Sequence, residues 1–165
     1  MANKKLLLID GNSVAFRAFY ALYRQLDRFQ NPEGLHTNAI YAFKNMLDVI
    51  LKQENPSHVL VAFDAGKVTF RTKLYSDYKG GRQKTPGELL EQIPYIKEML
   101  KDLGIKSYEL VNYEADDIIG TYSKMGEEAG YQVAIVSGDK DLTQLASDST
   151  TVYVTKSGVS ELEAF

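Results

Sequence analysis

Short apolar runs that end in acidic or turn residues alternate along the chain with segments whose apolar residues recur every three or four positions. The runs at 5–9, 58–63, 107–111, 131–136 and 151–155 read as strands. Ala15, Phe19, Leu22 and Leu26 mark a one-sided helix over 14–26, and Ile40, Phe43, Leu47 and Ile50 mark a second over 37–53. Asn31-Pro32-Glu33-Gly34 separates the two, and Asn55-Pro56-Ser57 stops the second. Thr85-Pro86-Gly87-Glu88 has the capping-box spacing with proline at the first helical position, which predicts a helix to Leu103 stopped by Gly104. The segment 114–129 predicts a further helix ended by Gly130, and 141–146 a short one. The first strand closes on Asp10-Gly11-Asn12-Ser13, polar turn residues able to cap the helix that follows.

This alternation predicts an α/β domain, a mainly parallel sheet of about five strands with helices on both faces, because parallel strands need crossovers of helix length. No repeat, low-complexity tract or domain boundary interrupts it, so residues 1–165 read as one domain. The last residues, Ser160 to Phe165, look like the start of another element, as in a fragment of a longer protein. With 165 residues, 44% of them hydrophobic, the chain can bury one sizeable core. The absence of cysteine excludes thiolate metal sites and cysteine nucleophiles and favours a reducing, intracellular compartment. The apolar run Leu6 to Ile9 is too short for a signal peptide or a membrane span, so a soluble protein with no membrane partner is expected. No Walker lysine or G-x-G-x-x-G loop is present, which disfavours kinase and dehydrogenase readings.

Ligands of open parallel sheets bind beyond the carboxyl ends of the strands, and the acids gather there. Asp10 follows the first strand and Asp64 the second. Glu114, Asp116 and Asp117 open the helix after the third, and Asp139 and Asp141 follow the fourth. Carboxylates so gathered repel one another and raise one another's pKa values, so a cation is their natural complement. All-oxygen ligation suits Mg2+ or Mn2+, and two such ions about 3.5 to 4 Å apart can activate a water and stabilise the leaving oxygen in phosphodiester hydrolysis. Each acid alone has a blander use: Asp10 as a helix cap, the 114–117 acids as a first turn that suits the helix dipole. The bland reading must explain why four strand ends are acidic along one edge. Asp116 and Asp117 cannot share a helix face equally with Glu114, so one of the two is placed to act through water.

With 19 Lys and Arg against 22 Asp and Glu, the net charge of -3 excludes a polycation that coats nucleic acid indiscriminately. Locally the balance reverses. Lys67, Arg71, Lys73, Lys79, Arg82 and Lys84 face a single acid, Asp77, and Phe70, Tyr75 and Tyr78 are interleaved with them. Such a stretch, leaving directly from Asp64, suits phosphate contacts and base stacking on single-stranded nucleic acid; the alternative is a solvated loop. Arg17, one helical turn after Ser13, can reach the rim where a scissile phosphate would sit. His36 and His58 lack metal-ligand spacing and read as a loop residue and a strand-entry residue. Phe16, Tyr20 and Tyr23 are spaced as helix packing residues.

The segments L-L-L-I-D-G-N-S-V-A-F-R-A-F-Y-A at 6–21, V-A-F-D at 61–64, F-R-T-K-L-Y-S-D-Y-K-G-G-R-Q-K-T-P at 70–86, Y-E-A-D-D-I-I-G-T at 113–121 and S-G-D-K-D-L-T-Q-L at 137–145 resemble the 5' nuclease domain of bacterial DNA polymerase I. The resemblance spans nearly the whole chain. It implies a PIN-like (resolvase-like), flap-endonuclease-type domain that uses two divalent ions to cut DNA at 5' flaps and 5' ends, including RNA primers, in replication and repair. It implies metal binding by Asp10, Asp64, Glu114, Asp116, Asp117, Asp139 and Asp141. It also implies a helical arch near 67–85 whose Arg71, Lys79 and Arg82 contact phosphate and serve catalysis, a phosphate-facing Arg17, and a bacterial cytoplasmic, nucleoid-associated setting. The family continues into further metal-binding aspartates, a helix-hairpin-helix element and a polymerase domain, none within residues 1–165, which leaves the second metal site incomplete here. Two other readings stand beside it: a single-strand DNA-binding module without catalysis, and a toxin-type PIN ribonuclease.

Overall fold

The structure, a computed structural model, describes residues 4–22, 30, 32, 34–64, 87–109, 115–138, 140–155 and 162–164, leaving aside the side chains of residues 116, 140, 141, 162 and 163. Six strands form one sheet: β1 (Lys5–Asp10), β2 (His58–Ala62), β3 (Lys106–Tyr108), β4 (Gln132–Ser137), β5 (Thr150–Thr155) and β6 (Leu162–Ala164). Their order is β3-β2-β1-β4-β5-β6. All neighbours are parallel except β5 and β6, which are antiparallel. The expected parallel strands are therefore present, and β6 adds an edge built from the apparent new element at the end of the sequence.

The central strand explains the two-layered packing. Leu7 and Ile9 point to one face, where they join α1 (Gly11–Ala21), α2 (Asn38–Glu54), α3 (Gly87–Leu90) and α4 (Ile93–Asp102) through Phe19, Phe43, Leu47, Leu89 and Ile96. Leu8 points to the other, against Ile118 and Ile119 of α5 (Ala115–Glu128) and Leu142 of a 3-10 helix, Lys140–Leu145. All of these side chains are buried, so β1 reads as a continuous apolar run rather than an alternating one. Chain order runs outward from β1 to β2 and β3 on one side and to β4 and β5 on the other. The carboxyl ends of β1 and β4 thus flank the point where the winding reverses, the usual crevice of such sheets.

Several boundaries differ from expectation. The first helix begins at Gly11 rather than 14, because Asp10 is its N-cap; residues 23–26, the rest of the expected helix, lie outside the described residues. The single helix expected to end at Leu103 is two, α3 and α4, parted at Glu91 and Gln92. Pro94 at the start of α4 has no N–H to offer the Leu90 carbonyl, and Gln92 N bonds instead to Leu89 O at 2.9 Å, a tighter turn. The expected strand at 107–111 is found at Lys106–Tyr108, and Val111 lies outside the described residues. Among the described residues no helix is long and apolar enough to cross a membrane.

Candidate functional site

At the end of β1 the backbone turns directly into α1, and Asp10 holds that turn. Its Oδ1 accepts from the backbone N–H of Ser13 at 3.4 Å, satisfying one of the free donors of the helix start. The register that sets Ile9 beside Val136 carries Ser137 alongside, and the Ser137 hydroxyl donates to Asp10 Oδ2 at 3.1 Å. The Ser13 and Ser137 hydroxyls lie 3.1 Å apart, and Ser13 Oγ accepts from Gly138 N at 2.9 Å. Glycine is required at 138, where a Cβ would stand 2.7 Å from Arg17 Cγ and 2.9 Å from the Ser13 carbonyl. Gly11 is constrained in the same way, since a Cβ there would meet the Phe63 ring at 2.5 Å.

On the other side of β1, Asp10 pairs in register with Ala62, so the chain reaches Asp64 two residues later at the same edge. Asn12 Oδ1 accepts from Asp64 N at 2.6 Å. Asp64 Oδ1 in turn accepts from Ala115 N at 2.6 Å, the first residue of α5. That helix carries Asp116 and Asp117 in its opening turn, and Asp117 is half-buried. Arg17, exposed on α1, brings its guanidinium to the same edge, where Nη2 donates to Gly138 O at 3.4 Å.

Asp10 is only 7% exposed. Burial pushes its carboxyl up from 3.8 to about 6, the charge of Asp64 adds to the rise, and the hydrogen bonds from Ser13 and Ser137 oppose it. Two carboxylates so placed supply the oxygen donors that suit a hard divalent cation, which would offset both the burial and the repulsion. Asp10, Asp64, Asp117 and Arg17 are thus brought to one edge. The backbones of Asp116 and Asp141 open α5 and lie in the 3-10 helix, with side chains outside the described residues. Glu114, Asp139 and the basic stretch with Lys67, Arg71, Lys73, Tyr75, Tyr78, Lys79, Arg82 and Lys84 also lie outside them. Among the described residues no group of three or more acids or histidines is complete enough to hold a metal.

Phe16 departs from the packing role read in the sequence. The buried stripe of α1 runs through Gly11, Val14, Ala15, Ala18 and Phe19, so Phe16 is turned outward, 39% exposed, its ring 4.9 Å from that of Tyr20. His36 bonds to Glu91 at 3.1 Å and His58 opens β2 at the opposite edge of the sheet, away from the acids. Asn12, Ser13 and Ser137, which sequence inspection treats as turn residues, are the groups that join the strand ends. Their only signal is a run of small polar residues directly after an apolar strand.

Comparison with known proteins places this geometry. The family model described as 5'-3' exonuclease, N-terminal resolvase-like domain, matches residues 5–164. The chain is 64% identical to DNA polymerase I of Streptococcus pneumoniae over 165 residues, which is 100% of this chain and 19% of that protein. It is 55% identical to DNA polymerase I of Bacillus subtilis over 162 residues, 98% of this chain and 18% of that protein. The chain therefore spans about a fifth of the length of the curated relatives it matches. Among solved structures, zinc-bound T5 5'-exonuclease is similar in fold, with a TM-score of 0.62 and 20% identity over 92% of this chain and 55% of that one. A sheet wound outward from β1, acids at its carboxyl edge and a family match across nearly every residue agree: the chain belongs to the 5'-3' exonuclease family, as its N-terminal resolvase-like domain.

Proposed function

We propose that the chain is a divalent-metal-dependent nuclease that hydrolyses DNA phosphodiesters at 5' ends and 5' flaps, as the amino-terminal part of a longer protein of the DNA polymerase I type. The observation that carries this reading is the gathering of Asp10, Asp64 and the acidic start of α5 at the carboxyl edge of the sheet, with Asp10 buried. Asp10, Asp64, Asp117, Glu114, Asp116, Asp139 and Asp141 are the proposed ligands of Mg2+ or Mn2+, two ions in all. Bound there, the ions supply an activated water and charge stabilisation for the leaving oxygen. A T5 flap endonuclease of similar fold, found in a pseudo-enzyme-product complex with DNA and metal ions, supports DNA and metal as ligands.

The chain's own residues do the rest. Arg17, whose guanidinium donates to Gly138 O at this edge, would meet a phosphate entering the rim. Arg71, Lys79 and Arg82 contact and orient the phosphate, and Lys67, Lys73, Lys84, Tyr75 and Tyr78 hold the single strand through charge and stacking.

A 5'-labelled DNA flap incubated with the chain in Mg2+ or Mn2+ tests this, with EDTA and Asp116→Ala as controls. Cleavage lost in both controls supports the reading. Cleavage that survives EDTA overturns the metal dependence, and retention of flap DNA with no cleavage favours a binding module. Faster cleavage of an RNA strand of the same shape favours a ribonuclease.

A further inference from the structure

The two residues that follow Gly11 reach in opposite directions. Asn12 holds the backbone N–H of Asp64 at 2.6 Å, and Asp64 Oδ1 holds the N–H of Ala115 at 2.6 Å. One side chain on α1 thereby sets where β2 releases Asp64 and where α5 begins, with Ala115 standing between Glu114 and Asp116 in the sequence. Ser13 does the equivalent toward β4. Its Oγ takes the N–H of Gly138 at 2.9 Å, the residue before Asp139, and lies 3.1 Å from the Ser137 hydroxyl that donates to Asp10. The donors and acceptors close as a chain: Gly138 N–H to Ser13 Oγ, Ser13 hydroxyl to Ser137 Oγ, Ser137 hydroxyl to Asp10 Oδ2.

These two hydrogen bonds span 52 positions in one direction and 125 in the other, so neither is a local turn contact, while the Ser13 hydroxyl also lies 3.4 Å from the Asp10 carbonyl oxygen within its own turn. Backbone N–H groups at the ends of β2 and β4 are where parallel strands run out of ladder partners, and each needs an acceptor when half-buried. An alanine at either position would leave that donor unpaired, and the strand end would shift to find water. Because the shift falls on Asp64 or on the residue before Asp139, it would move carboxylates and leave the core alone.

We propose that Asn12 and Ser13 are positioning residues that set the spacing of the acids around the metal ions, Asn12 through Asp64 and the start of α5, Ser13 through Ser137 and the end of β4. The inference rests on the metal-dependent reading above. Neither residue ligates; each fixes the groups that do, as outer-shell partners of metal sites commonly do at a cost of about 10- to 100-fold in affinity when removed.

The test is Mn2+ binding by isothermal titration calorimetry without DNA, paired with thermal unfolding in EDTA. Asn12→Ala and Ser13→Ala should each bind Mn2+ about tenfold or more weakly. Ser13→Thr, which keeps the hydroxyl, should recover most of the affinity. Glu54→Gln, at the far end of β1, should change the unfolding temperature without changing Mn2+ affinity. Wild-type affinity in both alanine variants, or a Thr variant as weak as the Ala variant, overturns the inference while leaving the nuclease reading intact. No Mn2+ binding by the unsubstituted chain overturns the metal reading and this inference with it. Should Ser13→Ala fail to fold, Asn12→Ala decides by the same criterion.

Discussion

The two ends of β1 are built on opposite principles. At the amino end, Lys5 Nζ lies 3.3 Å from Glu54 Oε1, Tyr153 donates its hydroxyl to Glu54 Oε2 at 3.0 Å, and Ser57 Oγ both accepts from Lys5 N at 3.0 Å and donates to Lys5 O at 2.9 Å. Each charge there is paired with its opposite. At the carboxyl end, four or five residues along, Asp10 is buried beside another carboxylate, and the guanidinium that reaches the edge bonds to a carbonyl oxygen of Gly138. The first end pairs its charges; at the second, burial and the charge of Asp64 both work against ionisation of Asp10, which is the setting a divalent cation would relieve. A sheet tolerates such imbalance where apolar packing on both faces of β1 holds the strand regardless, and that is where a folded domain can keep a reactive site.

The largest expected effect of disturbing this contrast is on chemistry. Removing a carboxylate from the imbalanced end, as in Asp116→Ala, should abolish flap cleavage while leaving the circular dichroism spectrum unchanged; a variant that cuts at the wild-type rate would place the reacting centre elsewhere. Next comes stability. In the unfolded chain Asp10 ionises near 3.8, whereas in the folded chain it does so at about 6. Below pH 4 both forms are protonated and no penalty exists. Between 4 and 6 the folded state alone keeps the proton, so stability contributed by this group falls as pH rises, and above 6 the penalty stays constant at about 3 kcal/mol. Asp10→Asn removes the charge, keeps an acceptor for Ser13 N and can donate its amide to Ser137 Oγ. In EDTA at pH 7.5 it should therefore unfold at a higher temperature than the wild type, and the gap should close toward pH 4. A gap independent of pH would show that Asp10 is not strained by burial.

Asp64 offers a finer cut, because one of its oxygens caps α5. Asp64→Asn retains the cap and loses the charge, while Asp64→Ala loses both. Both should stop cleavage, yet only the alanine variant should lose about 1 kcal/mol in urea unfolding. Equal stabilities would mean that the bond to Ala115 contributes nothing to holding the helix start.

Much of this was legible in the chain itself. The runs Lys5 to Ile9 and Tyr131 to Val136 predict the buried central strands that are found, and Asp10 and Asp64 lie at the carboxyl edge that the strand ends predict. What the pattern concealed is instructive. Leu89, Ile93, Ile96 and Leu100 keep a helical stripe through the break at Gln92, because periodicity survives a turn that Pro94 imposes. Phe16 resembles a packing residue by its aromatic character, but it follows Ala15 by one position, about 100° round the helix from the buried stripe of Val14, Ala15, Ala18 and Phe19. Asn12 and Ser13 look like helix caps, and the partners their side chains find across the sheet, Asp64 N and Gly138 N, are set by the register of β1 against β2 and β4, which no local window contains. Long-range hydrogen bonding by short polar side chains is invisible to period, and that is where the geometry of the site is decided.

The smallest effect lies at the matched end. Glu54→Gln keeps an acceptor for the Tyr153 hydroxyl and removes the charge that faces Lys5. With the Lys5 side chain 32% exposed, the pair is partly screened, and the loss should be about 0.5 to 1 kcal/mol in unfolding at low salt, shrinking as ionic strength rises. Flap cleavage and Mn2+ affinity should not change. The substitution also withdraws the negative charge that, after burial, helps hold the Tyr153 hydroxyl above its ordinary range, so its ionisation should move down toward that range in an alkaline absorbance titration. A fall in cleavage at this end, some four strand residues from Asp10, would break the division between a structural and a chemical end of β1.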